Sequence, residues 1–81
     1  MRVTILLKWE PVYGQDLAGY KVRWGLMDKK PSRVVIVKRG TTSMMLVMSV
    51  RRKTVYGVTV ASYDVAGNES TQTMLTSVYV G

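Results

Sequence analysis

The chain contains no cysteine and no histidine. Without cysteine there is no disulfide framework, no thiolate nucleophile and no thiolate metal site. Without histidine the usual general base and the commonest metal ligand are missing. Acidic residues are scarce, five against twelve Lys and Arg, which leaves a net charge of +7. Nowhere do about 18 apolar residues run together, so no helical membrane span is expected. The opening "MRVTILLKWEP" is interrupted by Lys8 and is too short an apolar stretch for a signal peptide. A chain complete at Met1 would therefore have nothing to direct it through a secretion channel. Its 81 residues allow one domain, spanning 1–81. A domain of this size buries a modest share of its surface, so its core, its partners or both must hold it together.

Helical periodicity is also absent. The apolar pattern has a period of two almost throughout, which is the strand signature. From Arg2 to Glu10, Val3, Ile5, Leu7 and Trp9 share one face, while Arg2, Thr4, Lys8 and Glu10 share the other with Leu6. Pro11 ends this strand, because it has no N–H to give a ladder. "LAGYKVRWG" is a second strand, with Tyr20, Val22 and Trp24 pointing one way and Lys21 and Arg23 the other. A loop, "LMDKKPS", closes at Pro31. "RVVIVK" and "SMMLVMSV" are the third and fourth strands, separated by "RGTT". After the charged corner "RRK" comes a fifth strand, "TVYGVTVASYD", with Tyr56, Val58 and Val60 inward. The turn cluster "VAGNES" then leads to a sixth strand, "TQTMLTSVYV", with a bend expected near Thr76 and Ser77. Six short strands without a helix between them imply an all-β antiparallel sandwich or a small barrel.

Taken in order, these pieces resemble a fibronectin type III domain over nearly the whole chain. Trp9 in "LKW" matches the family's buried core tryptophan. "GYKVRWG" is similar to its third strand, and "VYGVTVASYDVAGNES" to its sixth strand and following loop. The resemblance implies a two-sheet Greek-key sandwich with Trp9, Tyr20, Val22, Trp24, Tyr56, Val58 and Val60 in the core. It also implies that Tyr56 forms the tyrosine corner, its hydroxyl hydrogen-bonded to nearby backbone. The family's Leu six residues before that Tyr is Val50 here, and its usual Pro and Gly are Arg52 and Lys53, so a less rigid corner is expected. Family members have seven strands in roughly 100 residues. Trp9 comes too soon after Met1 to leave room for the first of them. Arg2, Thr4, Leu6 and Lys8 would then lie along an open sheet edge, either a short edge protected by its charges or a place where another chain pairs.

The remaining residues point to binding rather than catalysis. The carboxylates are Glu10, Asp16, Asp28, Asp64 and Glu69, and a glycosidase would need two of them held together in a cleft. Asp64 and Asn68 are placed to order their own turn. Asp28, Lys29 and Lys30 make a solvated loop tip. No nucleophile–base pair of the usual kinds can be built without His or Cys, so no enzyme and no cofactor is expected. Lys21, Arg23, Arg33, Lys38 and Arg39 are expected to form a basic patch on one sheet face. Arg51, Arg52 and Lys53 form a second basic cluster at a corner. Nucleic acid would need exposed aromatics among those cations, and only Tyr63 and Tyr13 are available, so the weaker expectation is nucleic acid and the stronger an acidic protein surface. Two settings fit a non-enzymatic domain of this resemblance. One is a small bacteriophage virion or decoration protein bound to other subunits. The other is a spacer or carbohydrate-contacting module of a secreted, extracellular bacterial protein.

Overall fold

The computed structural model describes residues 1–30 and 33–81; the loop closure expected at Pro31 lies outside them. Among the described residues six strands form in chain order: β1 (Arg2–Lys8), β2 (Leu17–Leu26), β3 (Arg33–Lys38), β4 (Ser43–Ser49), β5 (Thr54–Asp64) and β6 (Thr73–Val80). Among the described residues there is no helix. Every strand pairing is antiparallel. β1 pairs with β4 in a two-stranded sheet, and the other four make a sheet ordered β3-β2-β5-β6. Consecutive strands therefore alternate between sheets at three of the five connections, and only β2–β3 and β5–β6 are sequence neighbours that pair. The arrangement is compatible with a β-sandwich.

Side chains from both sheets build one core. Leu7 and Trp9 come from β1 and the residue after it, and Leu46 and Met48 from β4. Facing them are Tyr20, Val22, Val37, Tyr56, Val58 and Val60 of the larger sheet. Val22, Met48 and Val58 are fully buried, each worth about 1.5–3 kcal/mol relative to exposure. Among the described residues no polar or charged residue is buried. Trp9 packs on Tyr20 with ring centroids 5.6 Å apart. The Tyr20 hydroxyl is satisfied by the Val12 N–H at 3.0 Å, which pins the chain just after Pro11 to the core. Trp24 is only half-buried. It lies across from Arg33 near one end of β2 and rests edge-on against Tyr56 at 6.2 Å, so of the seven expected core residues it alone belongs to the core's margin.

Tyr56 reaches back five residues and accepts the Arg51 N–H at 2.9 Å. The Thr54 hydroxyl first, then that N–H, hold the phenol below its ordinary pKa. The corner closes with Lys53 at φ 60°, a left-handed conformation that an L residue adopts at a cost. The irregularity expected at Thr76 and Ser77 falls slightly earlier. The β5–β6 register shifts between Val58 and Thr59, which pair with Thr76 and Met74, so Leu75 is the extra residue. A bulge of this kind re-aims one side chain. Leu75 is turned onto the core, where it is half-buried.

Candidate functional site: an open edge and a divided basic face

Among the described residues β1 has one partner, β4, and its other edge is open. Two bonds flanking the ladder fix which backbone groups face that opening: Val50 N–H to the Met1 carbonyl at 2.9 Å, and Trp9 N–H to the Thr42 carbonyl at 2.9 Å. In an antiparallel pair the bonded residues alternate. Val3, Ile5 and Leu7 therefore turn their N–H and C=O groups to β4. Arg2, Thr4, Leu6 and Lys8 turn theirs to the open edge. The same four residues carry exposed side chains on the outer face, so the expected edge residues are brought together both as side chains and as backbone donors and acceptors. Among the described residues neither Arg2 nor Lys8 has an ion-pair partner.

The inward face along this edge is incompletely covered. Val3 and Ile5 point inward, as the alternation requires, but are only half-buried. Across from them on β6, Leu75 and Val78 are also half-buried. Between the two strands runs a groove of about 590 Å³ lined by Ile5–Lys8 and Leu75–Tyr79. A second cavity of about 740 Å³, lined by Trp9, Tyr20, Val60 and Thr73 among others, shares Lys8 and Leu75 with it. The two together open one flank of the molecule from the middle of β1 to Val12. Trp9 lines this flank, and its indole Nε1 is buried without a hydrogen-bond partner among the described residues.

Leu6 is not the lone apolar residue of the outer face. The register sets it opposite Met45, and Thr4 opposite Val47. All three apolar residues are more than half exposed. The continuous apolar run Met44–Met48 hides this in the sequence, because inward and outward positions are both hydrophobic. Only the pairing shows that Met45 and Val47 join Leu6.

The five-cation patch expected on the larger sheet is divided by the register. Lys21 and Arg23 do project from the outer face. Their β3 partners there are Ile36 and Val34, both exposed and apolar. Lys38 pairs with Gly19 and shares that face. Arg33 is a correction: it pairs with Trp24, whose side chain points inward, so Arg33 belongs to the opposite face. Arg39 falls in the turn after β3. The charge of Lys21 and Arg23 is also partly cancelled. Glu69 accepts from Arg23 Nη2 at 3.2 Å and from Lys21 at 3.4 Å, and its other carboxylate oxygen lies 2.8 Å from Arg23 Nη1 as an ion pair. Arg23 first, then Lys21, hold the Glu69 carboxyl below the usual range. Lys21 also lies 5.1 Å from the centre of the Tyr63 ring, so Tyr63 covers a cation instead of standing free as a stacking platform. Sequence alone had no means of placing Glu69, 46 residues along, against Arg23.

The loop quoted as "VAGNES" is ordered by its own acid. Asp64 accepts from the Ala66 and Asn68 N–H groups at 3.0 and 2.8 Å, and from the Asn68 side-chain amide at 3.1 Å. The Asn68 side chain first, then its N–H, hold the Asp64 carboxyl below its ordinary value. Gly67 takes φ 90°, which a residue with a Cβ resists. Both carboxylates bordering this loop are thus engaged in structure, Asp64 in the turn and Glu69 on the sheet face. No family model matches the chain, and no curated protein is significantly similar to it in sequence.

Proposed function

We propose that the protein is a non-catalytic docking module with a fibronectin type III-like Greek-key sandwich. It joins a larger protein assembly through the β1 edge. The observation that carries this reading is the coincidence, along the β1 edge, of backbone groups and the cations Arg2 and Lys8 without partners among the described residues, beside the exposed apolar patch that Leu6 of β1 forms with Met45 and Val47 of β4. An unprotected strand edge is a ready template for another chain, and natural proteins usually blunt it. The sheet order supports the fold assignment. β1-β4 and β3-β2-β5-β6 are two antiparallel sheets, as a sandwich of this resemblance requires. The Tyr56 corner is in its implied place.

The net charge of +7 favours acidic partners. The division of the basic face moves the weight of that attraction from Lys21 and Arg23, which Glu69 engages, to the open edge. A bacteriophage virion is the assembly we propose, with the protein as a small structural or decoration subunit, since domains of this resemblance ornament such particles. The test is imaging and quantitative mass spectrometry of purified native particles. The protein should be present in stoichiometric amounts, with β1 at its contact. Recovery only as free protein, absent from any particle, refutes the reading.

A further inference from the structure

Building on that docking reading, we propose that the β1 edge accepts an extended segment of an acidic protein chain as an added antiparallel strand. The segment carries acidic residues opposite Arg2 and Lys8, an apolar residue opposite Leu6, and apolar residues facing the groove. Three observations converge on this occupant. The N–H and C=O groups of Arg2, Thr4, Leu6 and Lys8 lie along one open edge at strand spacing, which only another extended backbone can match group for group. Side chains of an added strand would alternate with those of β1. Those opposite Val3, Ile5 and Leu7 would therefore enter the groove of about 590 Å³ and cover Ile5, Leu75 and Val78, which are now half-buried. Those opposite the even residues would share the outer face with Arg2, Leu6 and Lys8. Opposite charges and apolar pairs directly across a ladder are the favourable combinations.

A second copy of the chain fits less well. Pairing two β1 strands about their midpoint at Ile5 sets Arg2 against Lys8, a like-charge pair, between molecules that each carry +7. The inward side chains of the second β1 are also committed to their own core and cannot fill the groove. Nucleic acid offers charge but no ladder. In the antiparallel sense the preferred segment reads acidic, apolar, apolar, apolar, polar, apolar, acidic. The antiparallel sense follows the four pairings already present and is slightly the more stable.

The test uses the full chain and the peptide Glu-Val-Val-Ile-Thr-Val-Glu, extended at both ends by Asp for solubility. Amide exchange and chemical shifts are followed by NMR. The N–H groups of Thr4, Leu6 and Lys8 should slow by at least about tenfold on saturation, while those of Ile5 and Leu7, already bonded to β4, change little. The double reversal Arg2→Glu, Lys8→Glu lies on exposed side chains and should leave the fold intact. It should weaken the acidic peptide by about tenfold or more and gain affinity for the same peptide with Lys in place of its acids. Leu6→Pro should abolish protection of the edge in a folded protein. The proposal is overturned if the edge amides are not protected, or if acidic and basic peptides protect them equally. It is also overturned if the chain alone dimerises with the same protection, or if a single-stranded oligonucleotide produces it. If the peptide fails while the protein is found on particles, docking stands and the added strand falls. Peptide binding by a protein absent from particles has the reverse meaning.

Discussion

Replacing Trp9 tests the core and the open flank together. Its side chain is 9 % exposed, packs on Tyr20, and lines the cavity of about 740 Å³ that opens that flank. A buried tryptophan removes about 150–250 Å² from water, worth ~4–6 kcal/mol at ~25 cal/mol per Å². Two features lower the cost of Trp9→Ala. The space left would merge with an existing groove that water can enter, so no sealed void is created. The indole N–H, buried without a partner, would be relieved of its desolvation, which costs about 1–3 kcal/mol. The expected loss is about 3 kcal/mol, the low end of the Trp→Ala range. At ~0.05–0.15 kcal/mol per residue the whole domain has only about 4–12 kcal/mol. Trp9→Phe keeps a ring on Tyr20 and deletes the unpartnered N–H, so it should cost about 1 kcal/mol or less. Urea unfolding followed by circular dichroism and by the fluorescence of Trp24 measures both. Thermal midpoints should fall by roughly 12–24 °C for the alanine variant. A loss below about 1 kcal/mol for Trp9→Ala would remove Trp9 from the core. A Phe variant as damaged as the Ala variant would show that the indole N–H is hydrogen-bonded after all.

Proline at position 5 should be far worse than at position 6. Ile5→Pro removes a bond to β4 and leaves a carbonyl there without its donor, about 1–3 kcal/mol, whereas the Leu6 N–H faces the open edge; similar urea midpoints for the two variants would refute the alternation. Lys53→Gly should stabilise the protein by about 1 kcal/mol, because Lys53 holds φ 60°, and an unchanged or lower midpoint would contradict that strain. Asp64 and Glu69 both have folded pKa values lowered, by Asn68 and Arg23 foremost. The stability they confer is fully present above the unfolded carboxylate value, about 4, and is lost as pH falls through the lowered folded values. Urea midpoints of wild type and Asp64→Ala should therefore converge in strong acid and separate above about pH 4; a constant gap across that range would show that Asp64 contributes through something other than its charge.

β1, β2 and β5 were legible because each alternates over its own few residues, a local property of the pleated chain, whereas β3 and β4, apolar at consecutive positions, were legible from β-branched content and from the turn signals that bound them. Val3, Leu7, Val22, Val58 and Val60 face inward by that alternation alone. Tyr56 closing on the backbone five residues before it is likewise a short-range event, and Asp64 ordering its own turn is shorter still. Alternation by itself assigns side chains to one of two faces and says nothing of which strand lies alongside. Pairing joins residues far apart in sequence, and it decided what the charges do. It set Ile36 and Val34 beside Lys21 and Arg23, turned Arg33 to the opposite face with Trp24, and gave Glu69 to two cations. It also joined Met45 and Val47 to Leu6 on the outer face of β1 and β4. Which N–H groups of β1 point outward depends on the hydrogen-bond phase of the β1–β4 ladder, and that phase is fixed only when the two sheets close over a shared core.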